Sequence, residues 1–246
     1  MSADLLAPLT ALPGVAAASE EVREALGKVH RHRTNLRGWP ASAAESALRG
    51  ARSSSVLDGG SLHLPTGDEA AEPVLAGALR VGQALEGGAT SLVSVWQRAP
   101  MQALARLHSL AAADLTDDER LGRPRDDAAV AGRLALLANI LDTSTAPAPV
   151  LAAVAHGEIL SLAPFGTADG VVARAVSRLI TIVTGLDPHG LGVPEVHWMR
   201  RIGDYRAAAE GFGSGRPDSL RRWILLCCDG LREGAREGMS IAASAK

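Results

Sequence analysis

The run "DGVVARAVSRLITIVTGL", residues 169–186, leaves a folded chain few choices. Val, Leu and Ile recur on every side of it, and a helix that is apolar all round is a buried one. It therefore reads as the central, most buried helix of the fold. Composition supports a core of the same kind. Apolar residues make up 47% of the 246 positions but aromatic ones 3%. The core must then come from Leu, Val, Ile and Ala, which suits helix better than sheet.

The rest of the chain reads as helix nearly throughout, with no convincing alternating strand and no repeat of fixed period. "SAAE" at Ser42–Glu45 has the form of a capping box opening a helix that Gly59 and Gly60 stop. Pro73 opens the next, with Val74, Leu75, Leu79, Val81 and Leu85 on one face, and "GGAT" breaks it. "SLVSVWQRA" and "MQALARLHSLAA" follow, then "AAVAGRLALLANIL" with Val130, Leu134, Leu137 and Leu141 at helical spacing. "VLAAVAHGEILSL" precedes the central helix, and "GLDPHGLGVPE" follows it as a long turn. "DYRAAAEGF" and a long segment opened by Pro217 close the chain. The expectation is an all-α fold, with an N-terminal helical region over residues 1–98 packed on a core over 99–246.

A net charge of −2 gives no nucleic-acid signal. Lys28 and Lys246 are the only lysines, so the positive charge is nearly all Arg; a bias in the coding DNA accounts for that as well as phosphate recognition does. No apolar stretch approaches the roughly 18–20 residues of a membrane span, and "MSADLLAPLT" has no secretory pattern. A cytoplasmic location is expected. Cys227 and Cys228 are adjacent and read as packing residues rather than a disulfide or metal pair.

The loop "LAPFGTADGVVAR", residues 162–174, opens the central helix. The first turn of a helix presents unpaired N–H groups and partial positive charge, which suits phosphate. Gly166 and Gly170 allow close backbone approach, Thr167 or Asp169 is placed to cap, and Arg174 one turn in is placed to reach an anion. The plain alternative is a helix–helix turn capped by Asp169, with Arg174 on a surface carboxylate.

In order, these signals resemble the Fic (Fido) domain family, whose members transfer nucleotide or phosphate groups onto proteins. The family motif His-Pro-Phe-x-Asp/Glu-Gly-Asn-Gly-Arg-x-x-Arg aligns without a gap on Ala163-Pro-Phe-Gly-Thr-Ala-Asp-Gly-Val-Val-Ala-Arg174. Leu107-His108 and Gly122-Arg123-Pro124-Arg125 resemble upstream family elements, and Tyr205 and the Trp223 segment fall where its closing helices lie. Ser54-Ser-Val-Leu-Asp58-Gly59 resembles the family's inhibitory motif, whose Glu occupies the second motif arginine and blocks productive ATP binding. Asp58 is one methylene shorter, and the resemblance implies Arg174 as its partner; otherwise the segment simply ends a helix.

The departures bear on chemistry. The motif base is Ala163, which cannot titrate. The magnesium carboxylate is Thr167, a poor ligand for a hard cation. The first phosphate-clamping arginine is Val171, and the motif Asn is Asp169, which repels phosphate. "RPRDD" runs almost directly into the next helix, leaving little room for the hairpin that docks targets by strand addition. No catalytic or metal residue is therefore expected. Gly166, Thr167, Asp169, Gly170 and Arg174 are the candidate nucleotide- or phosphate-binding set, and Ser54, Asp58 and Gly59 the inhibitory-helix-like set. ATP or another nucleotide is the candidate ligand, and another protein the expected partner.

Other histidines offer no replacement base. His156 reads as a core histidine with its hydrogen bonds satisfied, and His189, Glu195 and His197 lack zinc spacing. His30 and His32, in "KVHRHRTNLR", read as part of a solvated basic patch. Three functions remain open: a non-catalytic scaffold or nucleotide-binding pseudoenzyme, a transferase or phosphohydrolase of altered chemistry using Asp169 for a metal, and a helical interaction module.

Overall fold

The central pair of helices is built first, because neither has a face for water. In the computed structural model, which describes residues 4–67, 69–86 and 91–245, helix α8 (Ala148–Leu162) and helix α9 (Asp169–Val183) form a hairpin around the motif loop. Every residue of α8 from Pro149 to Ile159 is buried, as is every residue of α9 from Asp169 to Ile182 except Arg178. The remaining helices wrap this pair. They are α1 (Ala7–Thr10), α2 (Val15–His30), α3 (Asn35–Leu57), α4 (Pro73–Leu85), α5 (Ser91–Arg98), α6 (Pro100–Ala112) and α7 (Ala128–Thr143) before it, and α10 (Pro194–Arg200), α11 (Ile202–Phe212) and α12 (Pro217–Ser244) after it. A 3-10 turn, Asp118–Arg120, lies between α6 and α7. No strand occurs among the described residues, and the fold is all-α.

Local chemistry sets several boundaries. Pro73 and Pro217 sit in the first turns of α4 and α12, where a missing N–H is harmless. The Glu72 carboxylate accepts from Val74 and Leu75 N–H at 2.9 and 3.1 Å, and Asp127 caps α7 from Ala129 N–H at 2.7 Å. The break expected at "GGAT" (residues 87–90) lies outside the described residues. No described helix is long and apolar enough to cross a membrane. Cys227 and Cys228 are buried, free thiols inside α12.

Three expectations are corrected. Ser42 does not open a helix: α3 runs from Asn35 straight through Pro40. The Ser42 hydroxyl donates to Asn35 Oδ1 at 2.7 Å, and the Asn35 amide donates to Val29 O at 2.9 Å, so the residue expected to cap is spent stitching α3 to the end of α2. The "KVHRHRTNLR" segment is not simply a solvated patch. His30 Nε2 lies 2.8 Å from the buried carboxylate of Asp187, which also accepts from Leu191 and Gly192 N–H at 2.9 and 2.8 Å. Burial works against ionised Asp187, but His30 and these two N–H groups hold its pKa below the usual carboxylate range. The turn after the central helix is likewise interrupted, because α10 grows out of Pro194 within it.

Helices α3 and α12 lie over α10, α2 runs along α12, and α4 fits between α3, α6 and α9. Helices α4 and α6 approach closely at Gly77 of α4. A Cβ there would lie 2.0 Å from the Ala111 carbonyl oxygen of α6. Gly77→Ala therefore gains helix propensity yet forces two backbones apart, and a net loss of about 1–3 kcal/mol is expected. Urea denaturation of the variant checks this; an unchanged midpoint would show that the α4–α6 contact yields freely.

Candidate functional site

The motif loop is held by groups from four segments. Helix α8 ends at Ala163 in the left-handed region (φ 44°), and α9 begins after Ala168 in the same region (φ 53°). Each non-glycine residue there is strained by roughly 1–2 kcal/mol, so the surroundings must enforce it. Arg125 does much of this. Its guanidinium donates to Ala163 O and Leu162 O, both at 3.1 Å, and its N–H to Pro164 O at 2.8 Å. These are carbonyls at the negative end of α8, where a cation is favoured.

Phe165 is buried and stacks on His108 with ring centroids 4.0 Å apart. His108 Nδ1 accepts from Gly122 N–H at 2.9 Å, which places the neutral ring's proton on Nε2, 3.4 Å from Thr167 Oγ1. His108 and Thr167 thus make no nucleophile–base pair: the nitrogen facing the hydroxyl already carries a hydrogen. Burial lowers the His108 pKa, partly offset by a bond to the Thr167 backbone.

Neither Thr167 nor Asp169 caps α9, as the sequence led one to expect. The N-cap is Ala168, without a side-chain bond. The Asp169 carboxylate folds back and accepts from Phe165 N–H at 2.9 Å. Burial raises its pKa to about 6, against the opposing pull of the Phe165 and Gly166 N–H groups and of Arg125; the nearby Asp58 charge adds to the rise.

Arg174 lies at the centre of the site and is 1% exposed. Asp58, the residue that ends α3, meets it at 2.8 Å. Arg174 also donates from Nε to Ser54 Oγ at 2.8 Å, from Nη2 to Ser54 O at 3.0 Å and from Nη1 to the Tyr205 hydroxyl at 3.3 Å. A second cation, Arg206, reaches Leu57 O at 3.4 Å. Two guanidiniums thus satisfy carbonyls at the C-terminus of α3, which Gly59 (φ 86°) closes. Burial opposes the charge on Arg174, but Asp58 and Tyr205 outweigh it, and the guanidinium holds its proton more tightly than usual. The plain alternative holds for the partner, since Asp58 lies at the surface, but the arginine it meets is buried and takes further partners from Ser54 and Tyr205.

Gly170 admits this carboxylate. A Cβ at that position would lie 2.2 Å from Asp58 Oδ1. The close approach read as room for a phosphate is taken by the chain's own Asp58. A magnesium ion does not fit the loop either: Thr167 Oγ1 turns toward His108, Asp169 is engaged by backbone N–H, and Asp58 is paired with Arg174. No group of three or more metal-ligating side chains occurs among the described residues. Glu195 pairs with Arg178 at 3.4 Å, His197 with Asp229 at 3.1 Å, and His189 stacks on Trp39.

A cleft of about 400 Å³ opens beside the pair, between Leu57, Leu160, Ser161, Tyr205 and Glu210. Sequence reasoning gave Tyr205 and Arg206 no place in the site. Arg125 and His108 stood in resembling elements, yet their grip on the loop appears only in three dimensions. Between α6 and α7 the connection contains the 3-10 turn and no strand, in keeping with the short spacer.

No family model matches the chain. No curated protein matches it. Among solved structures it is similar to a Fic family protein from Desulfovibrio desulfuricans G20, with a TM-score of 0.61 and 15% identity, over 95% of this chain and 76% of that one. At that identity the likeness establishes the fold: the chain has a Fic-like, all-α architecture.

Two outcomes test the loop. Phe165→Ala removes a buried ring and its stack on His108, and should destabilise by roughly 3–5 kcal/mol; a melt matching wild type would refute the buried role. Asp169 binds its proton more tightly folded than unfolded, so the stability it contributes at low pH is lost as pH rises from about 4 through about 6, by at most about 3 kcal/mol. Asp169→Asn keeps the acceptor and removes the charge. Its advantage over wild type should be absent near pH 4 and largest above pH 7, as read from paired melts across that range.

Proposed function

We propose that this chain is a non-catalytic Fic-fold protein, a regulatory or scaffold module whose motif loop is held shut by its own third helix. One observation carries the reading: the surviving motif arginine, Arg174, is buried and committed to Asp58, Ser54 and Tyr205. Catalysis by the family reaction needs a base, and Ala163 supplies none. His108 has its free lone pair occupied, and His156 is sealed in the core. The first phosphate clamp is replaced by the apolar, buried Val171. The expected partner is another protein.

The neighbouring cleft of about 400 Å³ supports a second, compatible element of this reading. When Asp58 leaves, Arg174 and the first turn of α9 are free to hold an anion, so a nucleotide or phosphate ligand is admitted by opening the end of α3. Access of such a ligand is then a question of the state of α3, not of catalysis.

The reading is tested in two steps. Labelled ATP incubated with the protein and candidate acceptor protein should transfer no label that survives denaturation; transfer that does survive would establish an altered transferase instead. Asp58→Ala should bind ATP more tightly than wild type in calorimetric titration. It should also lose about 2–3 kcal/mol of stability, less than the roughly 3–5 expected of a fully buried pair, because the Asp58 side chain is 21% exposed. Loss of stability without any gain in binding would favour a helical interaction module with no nucleotide site.

A further inference from the structure

His156 is buried inside α8, is not one of the motif residues, and has one nitrogen without a partner among the described residues. Its Nε2 lies 2.8 Å from the Tyr205 hydroxyl, while its Nδ1 meets no hydrogen-bonding group among them. Its ring sits among Trp198, Trp223 and Tyr205, at centroid distances of 5.0, 5.0 and 5.7 Å. An unpaired polar atom in such a cage is costly. The arrangement of protons around Tyr205 explains why it persists.

Arg174 can only donate, so at their 3.3 Å contact the Tyr205 oxygen is the acceptor. Tyr205 then has one proton to place and one remaining partner, His156 Nε2. If the phenol donates there, Nε2 is the bare nitrogen and Nδ1 carries the hydrogen, leaving a single unpaired N–H. The opposite tautomer leaves two defects, a phenol proton without an acceptor and a bare Nδ1 without a donor. A doubly protonated ring is disfavoured by burial and by the neighbouring charge of Arg174.

We propose that His156 is the positioning residue of the Asp58–Arg174 closure: as the Nδ1–H tautomer it accepts the Tyr205 hydroxyl's hydrogen bond at Nε2 and keeps the phenol oxygen turned toward Arg174. The chain of bonds runs from the core through Tyr205 and Arg174 to Asp58 at the end of α3. It joins α8, α9, α11 and α3 at one point. The inference rests on the reading of α3 as the closing element and deepens it, by placing part of the control of that element in the aromatic core.

The first test is spectroscopic and independent of any ligand. Nitrogen-15 spectra of the histidine-labelled protein should show His156 with a protonated Nδ1 and a bare Nε2. A protonated Nε2 would overturn the proposal, whatever the outcome of the ATP experiments. The second test compares two substitutions by hydrogen exchange. His156→Phe fills the cage and removes the acceptor, and should speed exchange of the amides of residues 55–60 about tenfold relative to those of α9, the equivalent of one lost hydrogen bond. His156→Gln retains an acceptor oxygen and should hold that exchange within about threefold of wild type. Equal acceleration in both would mean that His156 only fills space, and no acceleration in either would mean that Tyr205 needs no brace; each result rejects the positioning role. If the Phe variant proves globally unstable, His156→Leu supplies the same comparison, since it removes the acceptor at position 156 and leaves the Tyr205 oxygen to Arg174.

Discussion

A guanidinium in the middle of an apolar hairpin is the constraint that the rest of the site answers to. Helices α8 and α9 are buried on every side, and Arg174 is carried into that core on α9. A charge so placed must be met by an opposite charge and by acceptors for its N–H groups, or the fold loses several kcal/mol. Asp58, Ser54 and Tyr205 provide these, and they come from α3 and α11. The positions of those two helices are therefore tied to one side chain, and so is the shape of the cleft beside it.

The loop at the head of the hairpin shows the same logic on a smaller scale. A helix N-terminus is a ready place for negative charge. This chain fills it from within: Asp58 against Gly170, and Asp169 folded back onto Phe165 N–H. Asp58 is compensated by Arg174. Asp169 lies at the edge of Arg125's influence and stays hard to ionise. Neighbouring carboxylates thus meet different fates according to which arginine each can reach.

Much of the architecture was legible in the sequence, and the reasons differ by element. The central helix declared itself because apolar residues on all faces admit one environment. Pro73, Pro217 and Gly59 marked boundaries because each acts through backbone geometry alone. The start of α3 was misread because the Ser42–Glu45 pattern is local, whereas Ser42 answers to Asn35, and through it to the end of α2. His30 was misread for a similar reason, since its partner, Asp187, lies 157 positions on. Of the site, the Asp58–Arg174 contact was reached through resemblance, not spacing. The roles of Arg206 and Arg125 were not reached at all, because a carbonyl acceptor leaves no mark in sequence, and that of Tyr205 was not reached because its partners, Arg174 and His156, lie 31 and 49 positions away.

The distance between Arg174 and Ser54 along the chain, 120 positions, has a consequence for how the protein is made. Chains emerge from the ribosome N-terminus first, so α3 exists well before the hairpin that needs it. The same order holds for His30 and Asp187. In both pairs the N-terminal partner is already present when its late-arriving counterpart must be buried. The last third of the chain therefore enters a core whose counter-charges are in place. A molecule that began after α3 would have to bury the same arginine with no counter-charge and only the Tyr205 hydroxyl to meet it.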